Sequence, residues 1–165
     1  VSAVDLTLDL TLEAGAWDTL GDVEGLCTRA AEAALVVAGV EGLVALELLL
    51  TDDSAIRDIN REWRNLDKPT NVLSFPAAPA PGYPGPRPLG DVVLAFETLA
   101  REAREEGKPL VDHAAHLLAH GVLHCLGYDH DTDTAAEEME ALETRAMALI
   151  GIPDPYSGAP PAGTP

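Results

Sequence analysis

The sequence predicts an α+β fold: a small mixed sheet of about four strands packed by helices, with a metal site on one helix and the turn after it. Three observations lead there. Apolar stretches at Val4–Leu10, at Gly42–Leu50, within Lys68–Pro76 and at Gly90–Phe96 read as strands, by alternation or by continuous apolar character. Longer stretches repeat apolar residues at intervals of three and four, the period of an amphipathic helix. Strands and helices interleave without strict βα alternation, which favours α+β over a doubly wound sheet.

Taken in order, Val4-Asp-Leu-Thr-Leu-Asp-Leu10 alternates apolar and polar, as a half-buried strand does. Val23, Leu26, Cys27, Ala30, Ala34 and Val37 then mark a helix ending near Gly39. The more continuous apolar run Gly42–Leu50 suits a central strand. Thr51-Asp-Asp-Ser54 supplies N-cap candidates for a helix through Arg64. Lys68–Pro76 is a turn feeding a short strand. Six prolines and two glycines from Pro76 to Pro88 then exclude a regular element. Gly90–Phe96 is the next strand, followed by a charged helix from about Glu97 to Glu106. A further helix begins near Pro109, a residue favoured in the first turn. Thr134-Ala-Ala-Glu137 matches a capping box for a final helix, with Ala135, Met139, Leu142, Ala146 and Leu149 facing inward. The five prolines of Pro153–Pro165 suggest a frayed end.

At 165 residues and 47% hydrophobic, the chain suits one domain, residues 1–156, with a Pro-rich tail at 157–165. No apolar run approaches the roughly 18 residues needed to span a bilayer, and Val1–Asp5 lacks the basic region of a signal peptide. Cys27 and Cys125 form no disulfide framework. The expectation is a soluble protein of a reducing, cytoplasmic compartment, with no membrane partner. Ten basic and 28 acidic residues give a net charge of −18, which provides no general attraction for nucleic acid. Arg57, Arg61, Arg64 and Lys68 nevertheless fall within twelve positions. They form either a local anion-binding patch or the solvated face of a helix.

The chemistry concentrates in His120-Gly-Val-Leu-His124-Cys-Leu-Gly127-Tyr-Asp-His130. Four residues of helix rotate by about 40° beyond a full turn, so His120 and His124 share a face. Gly127 can end the helix and turn the chain back, bringing His130 to the same place. Three imidazoles with an open fourth position are the design of catalytic rather than structural zinc. An isolated H-x-x-x-H pair arises often by chance; the extended H-x-x-x-H-x-x-G-x-x-H spacing is far more specific. Metzincin proteases share that spacing, but they carry a glutamate general base after the first histidine, where this chain has Gly121. A peptidase reading loses its proton acceptor there. Cys125 points about 100° away from His124, which argues against a fourth ligand. His113 and His116 fall on the same face as His120 and His124. His116 is either a group orienting a ligand or a packed core histidine.

Three segments together resemble the YbeY family of bacterial rRNA maturation factors, zinc-dependent single-strand endoribonucleases. They are His116–His130, Asn60-Arg-Glu-Trp-Arg64 with Lys68-Pro-Thr-Asn-Val-Leu-Ser-Phe75, and Gly90-Asp91 with the apolar strand after it; Asp154-Pro-Tyr156 fits as well. The resemblance covers about residues 52–156. It implies an α+β fold, His120, His124 and His130 as ligands of one zinc ion per chain, and Arg64 as a functionally important arginine. It also implies action on single-stranded rRNA in maturing the 3′ end of 16S rRNA and in ribosome quality control. The partners implied are the small ribosomal subunit and its assembly proteins. Two positions depart from the family pattern: Asn71, where aspartate is common, and Cys125, where leucine is common.

Residue chemistry agrees with that implication. Arg64 offers a planar fork matched to phosphate oxygens. The missing glutamate matters less for a phosphodiester than for an amide, whose leaving amine must be protonated. Asp129, next to His130, could orient that ligand or shuttle a proton. Two alternatives stand beside the nuclease reading: an assembly-binding factor whose zinc is chiefly structural, favoured by the −18 charge, and a metal-dependent hydrolase of another substrate. The stretch Asp129–Glu143, with seven carboxylates and no basic residue, is either a docking face for basic proteins or an ordinary solvated helix front.

Overall fold

The computed structural model describes residues 3–156. The chain forms strand β1 (Val4–Leu12), a 3-10 turn (Gly15–Leu20), helix α1 (Val23–Val37), β2 (Gly42–Thr51) and α2 (Asp53–Arg64). After these come β3 (Val72–Pro76), β4 (Arg87–Ala95), α3 (Phe96–Glu106), α4 (Leu110–Cys125) and α5 (Asp133–Leu149). The four strands make one mixed sheet in the order β1-β2-β4-β3. β1 and β4 run parallel to β2, while β3 runs antiparallel to β4. This is the α+β arrangement expected from the sequence.

Strand alternation divides the core between the two sheet faces. Leu46, Leu48 and Leu50 of β2, with Val92 and Leu94 of β4, join the large core formed with α1, α4 and α5. The opposite face carries a smaller cluster in which Ile56 and Ile59 of α2 meet Leu73, Phe75 and Val93. The β1 side of that face stays polar and exposed, because Asp5, Thr7, Asp9 and Thr11 point there. α4 lies against the sheet almost wholly buried, which makes it the element the rest of the chain encloses.

The structure alters several sequence expectations. β4 starts at Arg87 rather than Gly90, because Pro88 still pairs with Ala45 before a bulge carries the register to Gly90 opposite Leu46. Gly90 is obligatory at that point: its φ is +138°, and a Cβ there would lie 2.3 Å from the Phe75 carbonyl oxygen. The 3-10 turn was not legible. It buries Trp17, whose indole N–H donates to the Thr51 carbonyl at 2.9 Å and whose ring meets Phe96 edge-on at 5.3 Å. α5 is capped by Thr132, not Thr134: the Thr132 hydroxyl accepts from the Ala135 N–H at 3.0 Å. Leu149 is exposed instead of inward. Pro153–Tyr156 is not a frayed end. Lys108 Nζ donates to the Pro155 carbonyl, and Asp154 accepts from the Thr144 hydroxyl and the Tyr156 N–H. The proposed tail, 157–165, lies outside the described residues.

Candidate metal centre

α4 brings the site together because its apolar and histidine positions interleave. Leu117, Leu118, Val122 and Leu123 fill the core beneath it, while His116, His120 and His124 run along one flank. Gly121 sets how closely the helix approaches the sheet. A Cβ at that position would lie 2.7 Å from Val92 Cγ1, 3.1 Å from Ser74 Oγ and 3.3 Å from Val72 Cγ2. The residue that a metzincin would use as its base is here a packing contact.

The helix ends as its sequence indicates. Gly127 takes φ +103°, its N–H donates to the His124 carbonyl, and the Tyr128 N–H reaches back to the Leu123 carbonyl. The reversed chain lays His130 over His120, with rings stacked 4.9 Å apart at 14° and His124 edge-on to both. Ligand atoms of His120, His124 and His130 all lie within 4.8 Å of one another, so the three form a group able to hold a metal ion.

Hydrogen bonds fix the two helical imidazoles for that task. His120 Nδ1–H donates to Glu143 Oε2 at 3.0 Å, and His124 Nδ1–H donates to the Tyr128 carbonyl at 2.8 Å. In the neutral rings both Nε2 atoms are then the unprotonated nitrogens, and they face each other at 3.1 Å. Two lone pairs in that position repel unless a cation or a proton lies between them. Two nitrogens each roughly 2.0–2.1 Å from a tetrahedral zinc would sit about 3.3 Å apart, so this donor pair fits one. Burial, then the neighbouring His120 and His130, lowers the pKa of His124 and favours its neutral, metal-binding form.

Glu143 and Tyr156 are the site residues that sequence reasoning missed. Glu143 is fully buried, and its carboxylate accepts hydrogen bonds from His116 Nε2–H, His120 Nδ1–H and the Tyr156 hydroxyl. Burial alone would raise its pKa, but these three donors hold it at about 2. His116 is thus both a core histidine and a partner of the carboxylate that orients His120. A signal was available: Glu143 sits among Met139, Leu142, Ala146 and Met147 on the buried stripe of α5, where an unpartnered carboxylate would be costly. This also corrects the acidic docking face, since one of its seven carboxylates points into the protein. Tyr156 belongs to the Asp154-Pro-Tyr156 segment of the resemblance, but no sequence signal assigned it a role at the histidines.

Arg64 is exposed at the end of α2, and no hydrogen bond or ion pair joins it to the histidines among the described residues. Within the basic patch, Arg57 binds Asp67 at 2.8 Å and Arg61 binds Asp58 at 2.9 Å, whereas Arg64 and Lys68 have no ion-pair partner among the described residues. Asp129 accepts from the Asp131 N–H and so shapes the turn that carries His130. Asn71 donates to Glu102, which also holds His113. Burial raises the Cys125 thiol to about 12, which leaves it protonated and a poor ligand.

Comparison with known proteins fixes the lineage. A family model described as Endoribonuclease YbeY matches residues 17–151. The chain belongs to the YbeY family. Similar proteins, each named Endoribonuclease YbeY, come from Sinorhizobium fredii (48% identical, covering 94% of both chains) and Rhizobium meliloti (49% identical, covering 94% of this chain and 98% of that one). The fold also resembles the solution structure of TM1509 from Thermotoga maritima, with a TM-score of 0.55 at 22% identity over 87% of this chain and 91% of the other. YbeY membership covers the whole histidine motif, α2 and the Gly90-Asp91 strand. No described helix is long and apolar enough to cross a membrane.

Proposed function

We propose that this protein is a metal-dependent endoribonuclease that cleaves single-stranded rRNA, with one zinc ion per chain held by His120, His124 and His130. The observation that carries the reading is the pair of unprotonated Nε2 atoms 3.1 Å apart beside an exposed His130, in a chain whose close relatives bear the name endoribonuclease. Bound there, zinc would lower the pKa of a water molecule to about 7 and draw charge from a phosphate oxygen. The chain's own part is to hold three imidazoles convergent and leave one side open: Glu143 and the Tyr128 carbonyl fix two rings, and the Gly127 turn supplies the third. Arg64 and Lys68, without an ion-pair partner among the described residues, are the cations of the Arg57–Lys68 patch available to bind RNA phosphates, and Arg64 has the bidentate geometry for it.

Processing of the 3′ end of 16S rRNA and ribosome quality control are the biological setting we infer, with the small subunit and its assembly proteins as partners in the cytoplasm. The −18 charge favours a second reading, an assembly-binding factor with a chiefly structural zinc. Cleavage of one RNA sequence presented single-stranded and as a duplex, by wild type and Arg64→Lys, separates the two. The nuclease reading expects single-strand cleavage by wild type and a large loss in Arg64→Lys at unchanged zinc content. Zinc-loaded wild type that binds assembly particles but cleaves neither form would establish the second reading.

A further inference from the structure

We propose that Glu143 is the positioning residue of the metal centre and that Tyr156, near the C-terminal end of the described chain, locks it in place. The inference rests on the reading of His120, His124 and His130 as metal ligands.

Glu143 is fully buried, and each of its oxygens has a defined task. Oε2 accepts from His120 Nδ1–H at 3.0 Å, which leaves Nε2 as the unprotonated nitrogen turned toward His124. Oε1 accepts from the Tyr156 hydroxyl at 2.5 Å and from His116 Nε2–H. The carboxylate therefore cannot rotate to release His120 without breaking its contacts to His116 and Tyr156. A carboxylate behind a ligating imidazole raises ligand basicity and fixes the ring.

Tyr156 reaches this carboxylate because the segment after α5 is tied to the rest of the protein at two points and turned by a bond of its own. Asp154 Oδ1 accepts from Thr144 Oγ1 at 3.0 Å and from the Tyr156 N–H at 2.8 Å, and Lys108 Nζ donates to the Pro155 carbonyl at 3.0 Å. The Tyr156 ring then stands edge-on to His116, with centroids 5.2 Å apart. A segment far from His120 in sequence is thereby coupled to the orientation of a metal ligand. A glutamate serving only to satisfy buried histidines would need no tie to the ligand ring.

The test uses the full chain and zinc alone, by chelator competition and by proton NMR of the imidazole N–H groups. Glu143→Gln keeps the side-chain shape but removes the charge, and should weaken zinc binding by about 10- to 100-fold. It should also move the slowly exchanging His120 Nδ1–H resonance upfield. Tyr156→Phe, which deletes one hydroxyl, should give a smaller loss in the same direction with unchanged circular dichroism. Glu138→Gln removes the same charge from the exposed side of α5 and should bind zinc as wild type does. His124→Ala separates this inference from the site assignment. If His124→Ala loses zinc while Glu143→Gln and Tyr156→Phe bind it as wild type does, the positioning role is wrong and the ligand set stands. If His124→Ala itself retains wild-type affinity, the ligand set is wrong and this inference goes with it.

Discussion

Gly121 shows how one residue carries both a packing role and a functional exclusion. Its missing Cβ lets α4 lie on Val92 and Val72, and the same absence removes the base that would suit peptide hydrolysis. Gly121→Ala gains about 1 kcal/mol of helix propensity but overpacks a rigid contact, a cost of about 1–3 kcal/mol. A net destabilisation of about 1 kcal/mol is expected in urea titration; a stabilised variant would mean that the sheet yields freely there. The histidines were legible because their spacing is itself the geometry: one helical turn and one glycine reversal need no knowledge of the rest of the chain. Glu143 was not read, although it interrupts an apolar stripe, because its partners come from α4 and from the segment after α5. The resemblance pointed to Arg64, but nothing in the local sequence pattern relates that residue to the histidines.

Among the elements, the strands followed their apolar patterns closely, since alternation depends only on which face is buried. Boundaries fared worse where pairing overrides local composition. β4 extends back through Pro88 because β2 offers a parallel partner, and α5 starts two residues earlier than its capping-box match because Thr132 is already in extended geometry. Sheet register also produced a feature that no single strand displays. Asp9 pairs with Glu47 and Glu47 with Asp91, so three carboxylates form a row across β1, β2 and β4 on the open face. Glu47 and Asp91 border a groove of about 440 Å³ whose walls include Ile59, Trp63 and Phe75. Burial, then Asp9 and Asp91, raises the pKa of Glu47. A carboxyl whose pKa is raised on folding opposes the fold above its unfolded value near 4.3 and costs nothing well below it. Glu47 is exposed, so water screens most of this repulsion, and Glu47→Gln should stabilise the protein at pH 7 by only about 0.2 kcal/mol, with the gain disappearing toward pH 3. Denaturant melts at the two pH values check this, and an equal gain at both would assign the effect to packing rather than charge.

For the molecule as a whole, a net charge of −18 must be reconciled with an RNA substrate. Arg57 and Arg61 are engaged by Asp67 and Asp58, which leaves Arg64 and Lys68 as the cations of the patch free to meet phosphate. Two contacts give a shallow salt dependence for single-stranded RNA, a slope of about −1.4 in log–log form. Affinity for naked rRNA fragments should then be weak, and under the proposed partnership with basic small-subunit proteins, small-subunit particles should bind more tightly. Titrations over a salt series measure both; a steep slope with tight binding to naked RNA would show that more cations take part. The central claim is that His120, His124 and His130 hold the metal on which cleavage depends. It is tested most directly by measuring zinc content and single-stranded RNA cleavage in the same preparations of wild type and of the His120→Ala, His124→Ala and His130→Ala variants, first stripped with chelator and then titrated with zinc. The account predicts that wild-type cleavage returns in proportion to added zinc and saturates at one equivalent, while each variant binds zinc far more weakly and cleaves little. Undiminished zinc binding and cleavage in the three variants would contradict it.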